Sequence, residues 1–156
     1  HCFPGDEPLM AHLLGIAVKP MRKGEISLHD EAMLNIHSGI IGDWRGKPGK
    51  RQVTLMSLTA WQAACNEIGV ELPWQTRRAN LLVDTLPLYQ STTSRIMLGE
   101  VLLEVTGETD PCERMEAAQP GLFQALATEW RGGVTCRVIA NGIIRVGMEV
   151  TLNPSS

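Results

Sequence analysis

The amino-acid sequence predicts a mainly β fold, a curled or barrel-like sheet with two or three short α-helices inserted, so that the composition is α+β. Three observations lead to this prediction. The chain has 15 glycines and 9 prolines, which separate many short apolar runs, as is typical of strands joined by tight turns. These runs dominate both ends of the chain. The sequence also lacks the regular β-α alternation of a doubly wound sheet.

Length and composition predict one domain. The chain has 156 residues, of which 44% are hydrophobic and 20% charged, the size and balance of one globular unit. We therefore expect a single domain over 1–156 with its core at about 14–152.

In the first half, short strands are predicted on either side of a glycine-rich loop. The apolar run 13–18 ends at Lys19-Pro20 and predicts the first strand. A weak alternation predicts a second strand at 32–36, and 53–56 is predicted as a third. The intervening stretch 38–51 is predicted to be loop.

A helix is predicted directly after the third strand. Ser57 is a suitable N-cap and Gly69 a suitable end. The apolar residues between them recur at spacings of three, four and three, which places them on one helix face: Leu58, Trp61, Cys65 and Ile68.

The second half is predicted to contain a hairpin, two helices and a second hairpin. The Asn141-Gly142 pair between apolar runs is a strong signal for a two-residue hairpin turn, and Pro120-Gly121 is expected to separate the two helices. The predicted strands are 79–83, 96–98, 101–106, 134–140, 143–146 and 149–152, and the predicted helices are 113–118 and 122–130.

Charge and hydropathy argue against nucleic-acid and membrane partners. The net charge is −3 and the pI about 5.8, without a run of five like charges, so the basic surface expected of a duplex-binding domain is missing. No apolar stretch approaches the roughly 18 to 20 residues that span a bilayer. We expect a cytoplasmic protein, although the chain opens at His1 rather than at methionine, which leaves an upstream targeting segment open.

The four cysteines are far apart and form no C-x-x-C pair, which argues against a clustered zinc site and a thioredoxin-type dithiol. Cys65 and Cys136 lie in apolar patterns and are predicted to pack in the core. Cys2 lies at a terminus.

Cys112 has a different setting, in the sequence Thr-Asp-Pro-Cys-Glu-Arg that leads into a predicted helix. A helix N-terminus and the nearby Arg114 favour a thiolate, whereas Asp110 and Glu113 would oppose it. A functional thiol and an inert one both stay open at this point.

Two basic segments could bind an anion. The glycine-rich loop carries Arg45, Lys47, Lys50 and Arg51, but it matches no phosphate-loop pattern and could equally be a solvated turn. The segment Arg77-Arg78-Ala79-Asn80 offers two guanidinium groups for a phosphate or carboxylate, or for a structural salt bridge.

Other catalytic arrangements are disfavoured. His29-Asp30 lacks a serine in a G-x-S-x-G elbow, so a hydrolase triad is not predicted. The lysines examined for pyridoxal phosphate stand in turns beside proline or glycine: Lys19, Lys23, Lys47 and Lys50. No pyridoxal phosphate is expected within this chain.

Taken together, the segments resemble the MOSC family, named after the C-terminal domain of molybdenum cofactor sulfurase, from about Leu14 to Leu152. The combination, rather than any one piece, carries the resemblance. The matching pieces are Gly39-Ile40-Ile41-Gly42-Asp43, Arg51-Gln52-Val53-Thr54-Leu55, Trp74 to Leu81, Asp110-Pro111-Cys112-Glu113-Arg114 and the closing segment from Gly133.

The resemblance implies a barrel related to the small barrel domain of pyruvate kinase. It also implies that Cys112 is the catalytic sulfur, either as a carrier of persulfide or as a thiolate ligand to molybdenum in a bound molybdopterin. The implied cofactor or anion pocket comprises Asp43, Arg45, Lys50, Arg51, Arg78, Asn80 and Arg114.

The sequence also departs from larger members of that family. It lacks the additional N-terminal barrel of relatives that reduce N-hydroxylated compounds, and their metal-ligating cysteine has a different local motif. Asp43-Trp44 replaces the more usual Asp-Arg pair. The pyridoxal phosphate domain of the sulfurase is not in this sequence, so a separate cysteine desulfurase would have to load Cys112.

Three functions follow as hypotheses. The first is a sulfur carrier or molybdenum-cofactor protein, acting as a sulfur transferase or, with a redox partner, as a molybdenum-dependent reductase of N-hydroxylated compounds. The second is a non-catalytic binding module for a pterin or another anionic ligand. The third is a structural β domain in which Cys112 is unreactive.

Overall fold

The computed structural model describes residues 9–22, 24–44, 47–109 and 113–154. Within these ranges the strands are β1 (Leu9–Val18), β2 (Ser27–His29), β3 (Glu31–Asn35), β4 (Gly39–Ile40), β5 (Val53–Ser57), β6 (Leu81–Val83), β7 (Arg95–Leu98), β8 (Val101–Glu108), β9 (Val134–Ala140), β10 (Gly142–Arg145) and β11 (Glu149–Asn153). The α-helices are α1 (Leu58–Glu67), α2 (Glu113–Ala118) and α3 (Leu122–Ala127), and short 3₁₀ helices cover Trp74–Arg77 and Thr128–Trp130.

Seven strands close into a barrel in the order β1-β11-β7-β8-β9-β5-β6 and back to β1. The closing contact pairs Leu9 of β1 with Leu152 of β11. The β5–β6 pair is parallel, and the other neighbours in the barrel are antiparallel. The predicted barrel-like, mainly β fold is confirmed.

The barrel interior forms the main hydrophobic core. Inward side chains from opposite strands, such as Leu13, Leu55 and Leu103, are fully buried. A second sheet in the order β10-β3-β4 packs Leu34 and Ile144 into the same core. Burial on this scale provides the main driving force for folding.

The helices cover one outer side of the barrel. Met56 of β5 and Leu82 of β6 face outward and pack against buried side chains of all three helices, among them Trp61, Met115 and Leu126. A parallel strand pair needs a crossover connection, and α1 lies in the connection between β5 and β6. The helices therefore form a second core on the outer face of these two strands.

The predicted ends of α1 and the predicted break between α2 and α3 are confirmed, whereas the predicted loop 38–51 contains the short strand β4. Ser57 caps α1 by accepting a hydrogen bond from the Ala60 N–H at 3.3 Å. Gly69 follows the helix with a φ of +71°, and Gly121 separates α2 from α3 with a φ of +90°. None of the helices within the described ranges is long and apolar enough to cross a bilayer.

The prediction of a two-residue hairpin turn at Asn141-Gly142 is wrong. β10 pairs with β3 rather than with β9. Neither residue has the positive φ that a type I′ turn requires. The Asn141 side chain instead accepts a hydrogen bond from the Ile36 N–H at 2.9 Å. A Cβ on Gly142 would lie 3.0 Å from Val101, so this glycine serves a close approach between two sheets.

Candidate anion-binding site

A cavity of about 430 Å³ opens where β5 begins and β8 ends. The loop after β4, the 3₁₀ helix Trp74–Arg77 and the start of β9 complete its wall. The residues that line it are Trp44, Lys47, Arg51, Thr54, Arg77, Thr109 and Thr135.

The lining of this cavity is positively charged. It includes Lys47, Arg51 and Arg77, and none of the described residues lining it is acidic. Lys47 and Arg51 are exposed, whereas Arg77 is only 5% exposed. Three cations in the wall of one cavity suit a small anion, particularly a phosphate.

Two larger cavities lie beside the helices, but their linings do not suit an anion. One, of about 580 Å³, is lined by two tryptophans, Cys65 and Glu71. The other, of about 690 Å³, has the two carboxylates of Glu113 and Glu116 in its lining. The smaller cavity therefore has the chemistry for anion binding that the larger ones lack.

Arg77 is held in place by backbone carbonyl groups. Its Nε donates to the carbonyl oxygen of Gly132 at 3.1 Å, and its Nη2 donates to that of Thr109 at 3.2 Å. Gly132 accommodates this approach, since a Cβ there would lie 3.3 Å from Arg77 Nε. The guanidinium thus ties the end of β8 to the loop before β9. Its orientation is fixed before a ligand arrives.

The threonine hydroxyls in the lining differ in their hydrogen bonding. Thr54 Oγ1 exchanges hydrogen bonds with Asn80, at 2.9 and 3.2 Å. Thr135 Oγ1 lies 2.7 Å from the Thr106 hydroxyl. By contrast, Thr109 Oγ1 is buried without a hydrogen-bond partner among the described residues.

Trp44 Nε1 is buried and lacks a partner in the same described part of the chain. A buried polar group without a hydrogen bond costs about 1–3 kcal/mol. Trp44 and Thr109 both line the cavity, so a polar ligand there could offer the missing partners. A third such atom, Gln75 Oε1, belongs to the 3₁₀ helix that carries Arg77.

Two of the predicted site residues, Cys112 and Arg45, lie outside the described residues. Thr109 is the last described residue before 110–112, and Glu113 is the first after it. Because Thr109 lines the cavity, Cys112 follows a wall residue by three positions in the sequence.

The other two cysteines with a described environment are unsuited to sulfur chemistry. Burial raises the pKa of the Cys136 thiol to about 12. Burial also raises the pKa of Cys65, and a hydrogen bond with the backbone of Leu72 offsets only part of that effect. Reactive cysteines need an accessible thiolate, so the prediction that both residues pack in the core is confirmed.

Three predicted pocket residues lie near the cavity but do not line it. Asn80 is 1% exposed, and its Oδ1 accepts from the Thr54 N–H while its Nδ2 donates to the Ala17 carbonyl. Asp43 is 8% exposed and accepts from the Lys19 N–H at 2.9 Å. Arg78 is half-buried and has a left-handed backbone with a φ of 70°.

Three other predicted residues are placed apart from one another. Arg51 lines the cavity. Lys50 lines a neighbouring cavity of about 360 Å³ with Arg137, and Arg114 is exposed on α2. For all six of these described residues, binding of the cofactor stays a prediction.

The structure adds residues to the candidate site that the resemblance did not imply. Lys47 and Arg77 are among the basic residues considered from the sequence, but they are not in the implied pocket. Trp44 is the residue that replaces the usual arginine beside Asp43, and Thr109 precedes the cysteine motif. No local pattern marks Thr54 or Thr135, which reach the cavity only through strand pairing.

The fold is similar to those of several solved structures. The YuaD protein from Bacillus subtilis is 22% identical with a TM-score of 0.80, covering 96% of this chain and 99% of that protein. YiiM from Escherichia coli is 18% identical with a TM-score of 0.70, covering 96% of this chain and 71% of that one. YiiM from Geobacillus stearothermophilus is 15% identical with a TM-score of 0.64, covering 92% and 75%.

No curated protein matches the sequence significantly. The family model for the MOSC domain, however, matches residues 15–151. This match spans most of the 156 residues, and the chain therefore belongs to the MOSC domain family, which is associated with molybdenum cofactor-related functions.

Proposed function

We propose that the cavity next to Thr109 binds the molybdenum cofactor, and that Cys112 acts beside it as a thiolate, carrying sulfur or binding molybdenum. The observation that carries the proposal is the composition of the cavity wall. It combines three cations with two buried polar atoms that have no hydrogen-bond partner among the described residues, and its residue Thr109 precedes Cys112 by three positions.

The charges fit the phosphate of a molybdopterin. Arg77 has a fixed guanidinium, while Lys47 and Arg51 are exposed side chains that can close on an entering phosphate. Hydrogen bonds between such cations and phosphate oxygens are about twice as strong as neutral ones. We expect the phosphate to bind near Lys47 and Arg51, at the open side of the cavity.

The polar groups fit the heterocyclic part of the same cofactor. Trp44 Nε1 is a donor, and the Thr109 hydroxyl both donates and accepts. A volume of about 430 Å³ falls within the range of about 300–1,000 Å³ for small-molecule sites. When bound, the cofactor would supply the redox chemistry of molybdenum.

Sulfur transfer requires a donor from outside this chain. We propose a pyridoxal phosphate-dependent cysteine desulfurase that carries a persulfide. The Cys112 thiolate attacks the outer sulfur, a new S–S bond forms at Cys112, and the S–S bond of the donor breaks to leave a thiolate on the donor. In the proposed arrangement, with Cys112 beside the positive cavity, its thiolate form would be favoured.

A molybdenum-dependent reductase would need a different partner. Reduction of an N-hydroxylated compound to the amine and water consumes two electrons and two protons. A separate redox protein would have to supply the electrons. In this variant Cys112 would serve as a soft ligand to molybdenum.

The binding module is the second candidate, and one observation favours it. Among the described residues, the cations in the cavity wall belong to residues 47–77, so these residues could bind an anion without the thiol. In this case, ligand affinity would be unchanged in Cys112→Ser.

The test measures molybdenum and phosphate content together with intact mass, before and after reductant. The proteins are purified without thiols from cells that make the cofactor. Two variants probe the proposal: Cys112→Ser and the double variant Lys47→Glu/Arg51→Glu. Arg145→Glu is the control, because Arg145 is exposed on β10, a strand that contributes no residue to the described cavity wall.

We expect stoichiometric molybdenum and phosphate in the wild type and in Arg145→Glu, and neither in the double variant. Loss of molybdenum in Cys112→Ser indicates metal ligation, whereas a reducible mass increment of one sulfur atom confined to proteins with Cys112 indicates a carrier. If Cys112→Ser retains molybdenum and none of the proteins shows the sulfur increment, the result favours the binding module. Wild type lacking both cofactor and sulfur increment would overturn the proposal.

A further inference from the structure

We propose that two copies of this chain associate reversibly, face to face, through the outer surface of the barrel formed by β1, β11 and β7. This surface is called here the Thr151 face. None of the residues of β1, β11 and β7 lines the anion-binding cavity, whereas β8 and β9, onto which the face continues at one edge, border that cavity elsewhere. The inference is independent of the proposed function.

An apolar row crosses the centre of the Thr151 face. Met10 of β1 pairs with Thr151 of β11, which pairs with Met97 of β7, and Met97 pairs with Leu102 of β8. Paired residues share one side of a sheet. The two methionines are 59% and 44% exposed. Methionine is enriched in protein interfaces, where its flexible side chain adapts to the opposing surface.

An acidic row borders the apolar row on one side. It lies two residues further along the strands, where His12 pairs with Glu149. The Asp84 carboxylate lies 3.5 Å from His12 Nδ1, and the His12 backbone N–H lowers its pKa, so it is ionised at neutral pH. The exposed Glu100, in the turn between β7 and β8, adds a further acid at this end.

A basic row borders the other side. Asn153 pairs with Arg95, and Arg95 pairs with Glu104. Arg137 continues this row on β9 and contacts the same carboxylate at 2.7 Å, while Arg95 lies 3.8 Å from it. One carboxylate thus lies between two guanidinium groups and neutralises the charge of only one of them. The row keeps a net positive charge.

The order of the rows is self-complementary. In a two-fold dimer whose axis runs along the apolar row, the methionines of one copy meet those of the other. The same rotation places the basic row of each copy opposite the acidic row of its partner. A symmetric interface needs such a match between a surface and itself, and opposite charges across an interface favour one orientation.

The size of the face predicts a weak dimer. The three strands, at a spacing of about 4.8 Å, and the three rows, about 6.8 Å apart, span about 10 by 14 Å, and the curvature of the barrel limits the part of this area that a partner can contact. Stable interfaces bury about 800 Å² on each partner. We therefore expect an association that is reversible, concentration-dependent and weakened by salt.

The second sheet provides a control surface. Met33 and Ile143 form a directly opposed, exposed apolar pair there. The neighbouring Glu31 and Arg145 already pair with each other at 3.1 Å, so this surface presents no separate acidic and basic rows.

Sedimentation equilibrium of the full chain over a wide concentration range tests the proposal, at low and high salt. The variants are Met97→Asp, the charge reversals Arg95→Glu and Glu149→Arg, the double reversal, and Met33→Asp as the control. All change exposed side chains, and far-UV circular dichroism with thermal melts checks that each folds.

We expect a wild-type dimer whose dissociation constant rises at least about tenfold in Met97→Asp and in each single reversal, which corresponds to about 1.4 kcal/mol. The double reversal should regain most of the loss, and Met33→Asp should behave as wild type. A wild type that stays monomeric at millimolar concentration, or equal weakening by Met33→Asp, would overturn the inference. A double reversal that fails to recover would also overturn it.

Discussion

The buried guanidinium of Arg77 allows a sharp test of how the cavity wall is held together. In Arg77→Ala, the carbonyl groups of Gly132 and Thr109 lose their charged donor. A hydrogen bond from a charged group contributes about 1.5–3 kcal/mol, so two of them predict a loss of about 3–6 kcal/mol in the free energy of unfolding. This is a large part of the roughly 5–15 kcal/mol that stabilises a typical domain.

Urea unfolding followed by circular dichroism measures the change. Arg77→Lys keeps the charge but cannot donate to both carbonyls in the same planar geometry, so we expect about half of the loss. Arg95→Ala is the matched control, because Arg95 is exposed and lies 3.8 Å from its carboxylate partner, and surface pairs contribute about 0–1 kcal/mol. If Arg77→Ala costs no more than Arg95→Ala, the bridging role assigned to Arg77 is wrong.

Three further predictions concern the buried framework. Gly133→Ala should cost more than about 3 kcal/mol in thermal unfolding, since its Cβ would lie 2.2 Å from the Leu55 carbonyl oxygen at a φ of +97°, whereas Gly49→Ala meets no atom within 4 Å and should cost clearly less. Burial raises the pKa of Cys136 from its ordinary value of 9.0 to about 12, so the native thiol stays protonated where the unfolded one ionises. The free energy of unfolding should therefore fall by about 1.4 kcal/mol per pH unit between those two values. This is checked by measuring urea midpoints across that pH range for the wild type and for Cys136→Ala, whose stability should lack this dependence on pH. An identical pH dependence in the two proteins would refute the prediction. Asn80→Ala removes three side-chain hydrogen bonds and should cost about 1.5–4.5 kcal/mol at about 0.5–1.5 kcal/mol each; an unchanged urea midpoint would contradict its role in holding β1 and β5 together.

Local sequence signals predicted the elements whose structure depends on neighbouring residues. The α1 helix is an example: Ser57, the apolar spacing and Gly69 each act within a few residues of the helix. The same signals failed at Asn141-Gly142, because a contact 105 positions away, between Asn141 and Ile36, replaces the hairpin turn.

The candidate site was only partly predictable for a related reason. The sequence shows two adjacent arginines, but which one enters the cavity depends on the 3₁₀ helix that ends at Arg77 and on the left-handed backbone of Arg78. Carbonyl groups from Gly132 and Thr109 fix that choice, and both come from distant segments. Thr135 reaches the cavity only because β9 lies between β5 and β8.

The closure of the barrel has a consequence for how the chain acquires its structure. β1 and β11 are the first and last strands of the described residues, and their pairing joins Leu9 to Leu152. Such long-range contacts slow folding, because the entropy of closing the loop is lost before the contact is gained. During synthesis, the β1 edge that pairs with β11 stays open until the last strand has left the ribosome. Deleting residues 149–153 would leave two unpaired edges, and a chain arrested before that point would be prone to pair with other chains.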